Sequence, residues 1–369
     1  MNFQAAAALL VMVTLAPAQV IKQVTVYKQA GRYAGWPANH GIWIWGNEIL
    51  VGFESGLFKF SETRHSINWD QPAEHLLARS TDGGETWHIE HPLSLRAPDG
   101  VKIANVPAER GGKQPVECPG DINFRNPNFA FTARMEDVDI GPSRFYYSYD
   151  RGKTWQGPFR LPNFGQKGIA ARSDYLINGP HDMTLLLTAA KSNGKEGRVI
   201  CVRTTDGAKT WKMLSFVGPE PPEADKALMP SSVRLSPNVI LTAIRHTSWI
   251  ELYRSDDDGM HWSLVSRPVS NTGAHNGNPP FLIRLKDGRL AITYGFRSEP
   301  YGIRARLSSD EGKTWTDEIA LRSGGGTWDL GYTRTVQRPD GKLVTVYYFN
   351  DHKDTERFIG ATIWEAPSK

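Results

Sequence analysis

"SYDRGKTW", Ser148–Trp155, is one of five versions of the same eight-residue turn in this chain. The others are "STDGGETW" at 80–87, "TTDGAKTW" at 204–211, "SDDDGMHW" at 255–262 and "SSDEGKTW" at 308–315. Asp always holds the third place and Trp the eighth, so Asp82, Asp150, Asp206, Asp257 and Asp310 recur at intervals of 51 to 68 residues. A period of that size marks an array of supersecondary units, none of which can bury its own faces alone. The segment before each turn is strand-like, as in "HLLARS", "RVICVRT" and "IRARLSS". Further strands lie upstream of several turns, joined by Asp-Gly pairs as in "RLKDGRLAITYGF". About four short strands per period, with almost no helical periodicity, predict an all-β protein of the β-propeller type.

The turn has a physical reading of its own. The Asp carboxylate accepts backbone N–H bonds within the turn, and the glycine after it takes a conformation that other residues resist. The Trp is then free to pack between neighbouring units. A device repeated once per unit is a structural staple, because one active site has no use for five symmetric turns.

Bulk composition limits the function. The 369 residues are 40% hydrophobic and 22% charged, a globular balance able to bury a large core. The net charge of +4 is small, and no basic run is interleaved with aromatics, so nucleic acid is not an expected partner. Twelve Trp, 24 Pro and 35 Gly indicate many turns and aromatic surfaces suited to sugars or to core filling. The opening "MNFQAAAALLVMVTLAPAQV" has a short apolar run ending in Ala16-Pro17-Ala18, an A-x-A pattern that predicts a signal peptide over 1–18 and an exported domain over 19–369. No later stretch is long and apolar enough to span a bilayer. Cys118 and Cys201 are the only cysteines; they would be free to pair after export, and no metal-ligand spacing involves them. No cofactor or metal is expected.

The S-x-D-x-G-x-T-W turn at this spacing resembles the Asp-box of the sialidase superfamily. That resemblance implies a six-bladed β-propeller with Asp-box turns, its sixth blade formed by "GYTRTVQRPDGKLVTVYYF" and "FIGATIW" and closed by an N-terminal strand. It also implies a site in which three arginines grip the carboxylate of an acidic sugar. The positions matching the family pattern are Arg32 in "GRYAGWPA", Arg245 in "VRLSPNVILTAIRHT" and Arg304 in "PYGIRARLSS", with Arg297 in "YGFRSEP" as the alternative to the last. Asp70 in "WDQPAEHLLARSTDGGETW" matches the acid/base, expected to be held near Trp69 with a raised pKa. Tyr332 in "WDLGYTRTVQRPDGKL" matches the tyrosine nucleophile, an exception among glycosidases.

One element departs from the pattern. Sialidases activate the tyrosine with a Glu that opens the strand leading to the second arginine, and here that strand reads "ALMPSSVRLS", with Met229 in its place. A thioether is no base. Glu223 and Asp225 are the nearby carboxylates in sequence. The implied activity is therefore an exo-glycosidase that removes a terminal, sialic-acid-like sugar from an acidic glycan. Two rivals stand beside it, the first raised by the histidines and the second by Met229. One is a lyase or divergent glycosidase on uronate-containing polysaccharide, with Tyr332 or one of His40, His181, His246 and His275 as base. The other is a propeller that binds carbohydrate without turnover.

Overall fold

The computed structural model describes residues 19–103 and 106–368, so the expected signal peptide, residues 1–18, lies outside the described residues. Among the described residues there is no α-helix. Six antiparallel sheets form the blades of a propeller, and Lys102–Ile103 and Val106–Pro107 add a small hairpin.

Blades 4 and 5 show the plan. Blade 4 runs outward through Leu228–Ser236, Val239–Arg245, Ile250–Ser255 and Ser263–Val269, and blade 5 through Phe281–Arg284, Leu290–Phe296, Gly302–Ser308 and Ile319–Ser323. Blade 1 begins at Arg32–Gly35 and blade 3 at Ile169–Ala170. Blade 2 has three strands, Ala130–Met135, Ser143–Ser148 and Gln156–Leu161, with its box between the last two, so the innermost strand is the missing one. Blade 6 runs Gly331–Gln337, Leu343–Phe349, Phe358–Glu365, and its outermost strand is the N-terminal Gln19–Tyr27, paired antiparallel from Gln19↔Glu365 to Tyr27↔Ile359. This closure explains why six blades carry five boxes. The box links third and fourth strands, and in blade 6 no turn makes that link.

Strands such as Leu343–Phe349 are buried at every residue, because a blade is covered on both faces by its neighbours. Their sequences read as continuous apolar runs rather than alternating ones. The boxes form part of that packing. In Ser148–Trp155, the Ser148 hydroxyl donates to Asp150 (2.7 Å), and Asp150 accepts from the Thr154 backbone N–H (2.9 Å) and hydroxyl (2.6 Å). The same bonds recur around Asp82, Asp206 and Asp310. In the fourth box His261 replaces Thr, and its Nδ1 meets Asp257 at 2.5 Å. Each box leans on the blade before it. A Cβ at Gly259 (φ +92°) would lie 2.7 Å from Cys201 Sγ of blade 3, so glycine is required there. Cys201 and Cys118 are both buried and unpaired, in separate apolar clusters.

Asp150→Ala is expected to cost about 1–3 kcal/mol by removing this network. Melting would show the loss, while turnover per folded molecule should stay unchanged; normal melting with lost turnover would overturn the staple reading. The boxes also set an acid response. Some desolvation opposes the charge on Asp82 and Asp310, but hydrogen bonds from the Thr and Ser partners win and hold both at about 2. Their folded values lie below the unfolded one, near ~4, so this stability is present above that range and is lost as pH falls toward about 2. A urea midpoint that falls steadily between those limits would check it.

Candidate active site

Strand direction decides which edge of each blade carries chemistry. The start of the first strand and the end of the second lie together, as the pairs Leu228↔Arg245 and Gly331↔Tyr348 show. The third strand ends at the opposite edge, since Ser308 pairs with Leu290 at the start of the second. The five box aspartates therefore occupy the face away from Met229, Arg245, Tyr332 and Tyr348.

Tyr332 is buried near the hub. Arg245 donates Nη1–H to its hydroxyl at 3.2 Å and meets Met229 Sδ at 3.3 Å, while Nε and Nη2 hold the Asn276 carbonyl at 3.1 and 2.7 Å. The Arg297 guanidinium lies 5.5 Å from the Tyr332 ring and 5.2 Å from the Trp328 ring. Burial opposes ionisation of Tyr332, but the fields of Arg245, Arg297 and Arg172 and the Arg245 hydrogen bond outweigh it, holding the phenol below its ordinary value. Tyr33 and Tyr348 nearby are pushed far upward, chiefly by burial. Only one phenol of the three is primed.

A second centre faces this one. His65, in the loop between the second and third strands of blade 1, contacts Asp329 through Nδ1 at 2.5 Å. Asp329 also accepts from the Ser66 N–H (2.9 Å), the Tyr348 hydroxyl (3.0 Å) and Arg357 Nε (3.0 Å). Desolvation is the largest influence on His65 and, with Arg297 and Arg245, keeps its pKa lowered despite Asp329. The ring is therefore neutral near pH 7, oriented by a carboxylate, with Nε2 unbonded among the described residues and the side chain 20% exposed. The His65 and Tyr332 ring centres are 6.5 Å apart, edge to face. Trp36 and Trp328 flank His65, each at 5.2 Å, and His275 stacks on Trp328 at 4.4 Å. Trp36, Met229, His275, Asn276 and Tyr332 all have left-handed backbones, with φ between 53° and 65° for four of them and 52° for Tyr332. Such conformations are costly for bulky residues and gather at functional sites.

The sequence placed Tyr332, Arg245 and Met229 together, and the structure does the same. It does not bring the other expected groups to Tyr332. Arg32 reaches the correct edge of blade 1 but is engaged by Glu74 and Ser55. Arg304 lies on the third strand of blade 5, paired with Glu318 and laid over the Phe296 ring. The alternative, Arg297, is the one near the hub, but its guanidinium is spent on the carbonyls of His275, Gly277 and Leu330 and on Tyr348. The expected carboxylate grip of three arginines is not formed. Asp70 shares the His65 loop, yet its side chain is 81% exposed with Lys59 at 3.9 Å, so it is not held against Trp69 as expected. Asp225 is bound by His246 (2.8 Å) and Thr247, and Glu223 is exposed, so neither replaces the missing Glu at Tyr332. Among the expected histidines, His246 is stacked on Trp249 and His181 bonds the Ile122 carbonyl. His40 is fully buried against Arg134. Sequence reasoning missed His65 and Asp329. The signal was present in "WDLGY", where Asp329 precedes Tyr332 by three residues, but its partner lies in another blade.

Among the described residues two clusters have donor atoms close enough for a metal, His40–Glu54–His75 and Glu74–His91–Glu109. In the first, the Arg134 guanidinium already contacts both Nδ1 atoms at 2.5 and 2.6 Å, and a cation there would face its charge. In the second, Arg32 and Arg96 already neutralise the carboxylates.

Residues 126–346, more than half of the chain, match the model of the BNR repeat-like domain, and residues 78–88 match the BNR/Asp-box repeat. No curated protein matches the chain by sequence. Among solved structures, a protein of unknown function from Dyadobacter fermentans is similar at a TM-score of 0.71 and 21% identity, covering 94% of this chain and 99% of its own. The NanB sialidase of Streptococcus pneumoniae is similar at 0.59 and 13%, covering 95% and 70%. The α-L-arabinofuranosidase of Fusarium graminearum is similar at 0.59 and 12%, covering 93% and 97%. At these identities the likeness is one of fold.

Proposed function

This chain belongs to the family of BNR repeat-like domains, and from that premise we propose that it is an exported glycoside hydrolase that removes a terminal acidic sugar from a glycan. The observation that carries the reading is the Tyr332 hydroxyl, held by Arg245 and primed toward phenolate at an aromatic-walled hub. Sialidase and arabinofuranosidase propellers of similar fold support a carbohydrate substrate. Export rests on the apolar run ending in Ala16-Pro17-Ala18.

In this mechanism the Tyr332 oxygen attacks the anomeric carbon as the bond to the leaving oxygen breaks. Its proton passes to His65 Nε2, directly or through one water, and Asp329 stabilises the imidazolium that forms. The His65–Asp329 pair thus takes the role of the carboxylate that Met229 displaces. The leaving oxygen takes its proton from solvent, since Asp70 stands exposed beside Lys59 and is not held at Tyr332. Water then adds to the anomeric carbon as its bond to the Tyr332 oxygen breaks; the released phenolate takes back the proton held on His65, and the proton lost by water goes to solvent.

A second reading is favoured by the neutrality of His65. In a uronate polysaccharide, His65 would remove the C5 proton, and Tyr332 would protonate the leaving O4 as the C4–O bond breaks and a C4=C5 bond forms. Incubating the protein with sialylated glycans and uronate-containing polysaccharides separates the two. A released sugar that has gained one water supports hydrolysis. An unsaturated, ultraviolet-absorbing product supports elimination and overturns the first reading. Tight binding with no product would make the propeller a lectin.

A further inference from the structure

Lys226 lies on the loop from blade 3 into blade 4, three residues before Met229. It lines a cavity of about 360 Å³ together with Lys191, Glu196, Asp225, Thr247 and Asn276. Asn276 is the residue whose carbonyl Arg245 clamps, so the cavity adjoins the Tyr332 centre.

Most charges in this cavity are already answered. The Lys191 ammonium donates to the carbonyls of Pro222, Glu223 and Asp225 at 3.0, 3.1 and 2.7 Å. Lys195 pairs with Asp139 at 2.9 Å, Glu196 with Arg172 at 3.2 Å, and Asp225 with His246 at 2.8 Å. Glu223 is exposed at the rim. Lys226 is different: it is half-buried, and its ammonium has no hydrogen-bond or ion-pair partner among the described residues. Desolvation first, then the field of Arg245, disfavours its charge; Glu196, itself paired with Arg172, and Tyr332 favour it from a distance, and Arg297 opposes it. A partly desolvated cation without a partner is a site at which an incoming carboxylate gains most. The arginines expected to hold such a group are committed elsewhere: Arg32 to Glu74, Arg304 to Glu318, Arg297 and Arg245 largely to backbone carbonyls.

We propose that Lys226 is the carboxylate-binding residue of the site, with the acidic substituent of the sugar seated in this cavity and its ring reaching Tyr332. The inference rests on the acidic-glycan reading above. It also accounts for a site that handles an acid without an open arginine grip. At about 360 Å³ the cavity has room for one sugar residue.

The test is calorimetric titration of the protein with N-acetylneuraminate, D-glucuronate and the methyl ester of each. Wild type should bind a free acid at least ~10-fold more tightly than its ester, the scale of one charge-assisted bond. Lys226→Met should erase that preference and Lys226→Arg should keep it. Lys226→Gln gives the same contrast should the Met variant fail to fold. A Met or Gln variant that still prefers the acid overturns the role of Lys226 and leaves the acidic-glycan reading standing. A wild type that binds acid and ester alike overturns both.

Discussion

Tyr332→Phe is expected to lower turnover by on the order of 10⁴-fold or more, because the only primed oxygen at the hub is removed. The fold should survive. Arg245 loses one neutral acceptor, worth about 1 kcal/mol, while its Nε and Nη2 remain on the Asn276 carbonyl. Wild-type turnover should rise with pH as His65 becomes neutral, through a limb that lies below the ordinary histidine value near ~6.5. His65→Ala should remove that limb and cost about 10²–10⁴-fold, the usual scale of general-base assistance. A Phe variant that turns over substrate at close to the wild-type rate would place the chemistry on another group.

Asp329→Asn is expected to cause the largest loss of stability, about 3–5 kcal/mol, since it leaves the fully buried Arg357 without its countercharge. The carboxylate is held well below its ordinary range: burial opposes the charge, but His65, Arg357 and the Ser66 N–H outweigh it. Its folded value lies under the unfolded one, so its contribution is present above the ordinary carboxylate range and lost only in strong acid. Adding Arg357→Met should return part of the stability, because the stranded cation is then gone, but not the activity, because His65 has still lost the group that orients it. Chemical denaturation of the single and double variants, read beside their pH–rate profiles, separates the two effects. An unchanged unfolding free energy in the single variant would mean that the pair carries little of the fold.

The sequence contained the architecture because the architecture is local and repeated. Each box is closed by bonds between residues two to four apart, so "SYDRGKTW" can be read without knowing its neighbours. Tyr332 and Arg245 were legible through the family resemblance, which works on short stretches for a related reason. Each occupies a strand end, and strand ends are placed by hairpin register, a property of short stretches. Arg32 stands at the start of its blade's first strand and Arg304 near the start of its blade's third, so both lie at the edge that carries Tyr332. Which way a side chain turns at such an edge depends on what stands opposite, and Glu74 and Glu318 claimed the two arginines.

His65 and Asp329 show the other limit. They are 264 positions apart, one in the first blade and one at the entrance to the last. No periodicity links them. They meet because the strand Gln19–Tyr27 completes the final blade and makes it the neighbour of the first. From the sequence came the blades, the turns that fasten them and the tyrosine that opens the last; closure of the ring set a carboxylate behind His65, because only a closed ring makes the first and last blades adjacent.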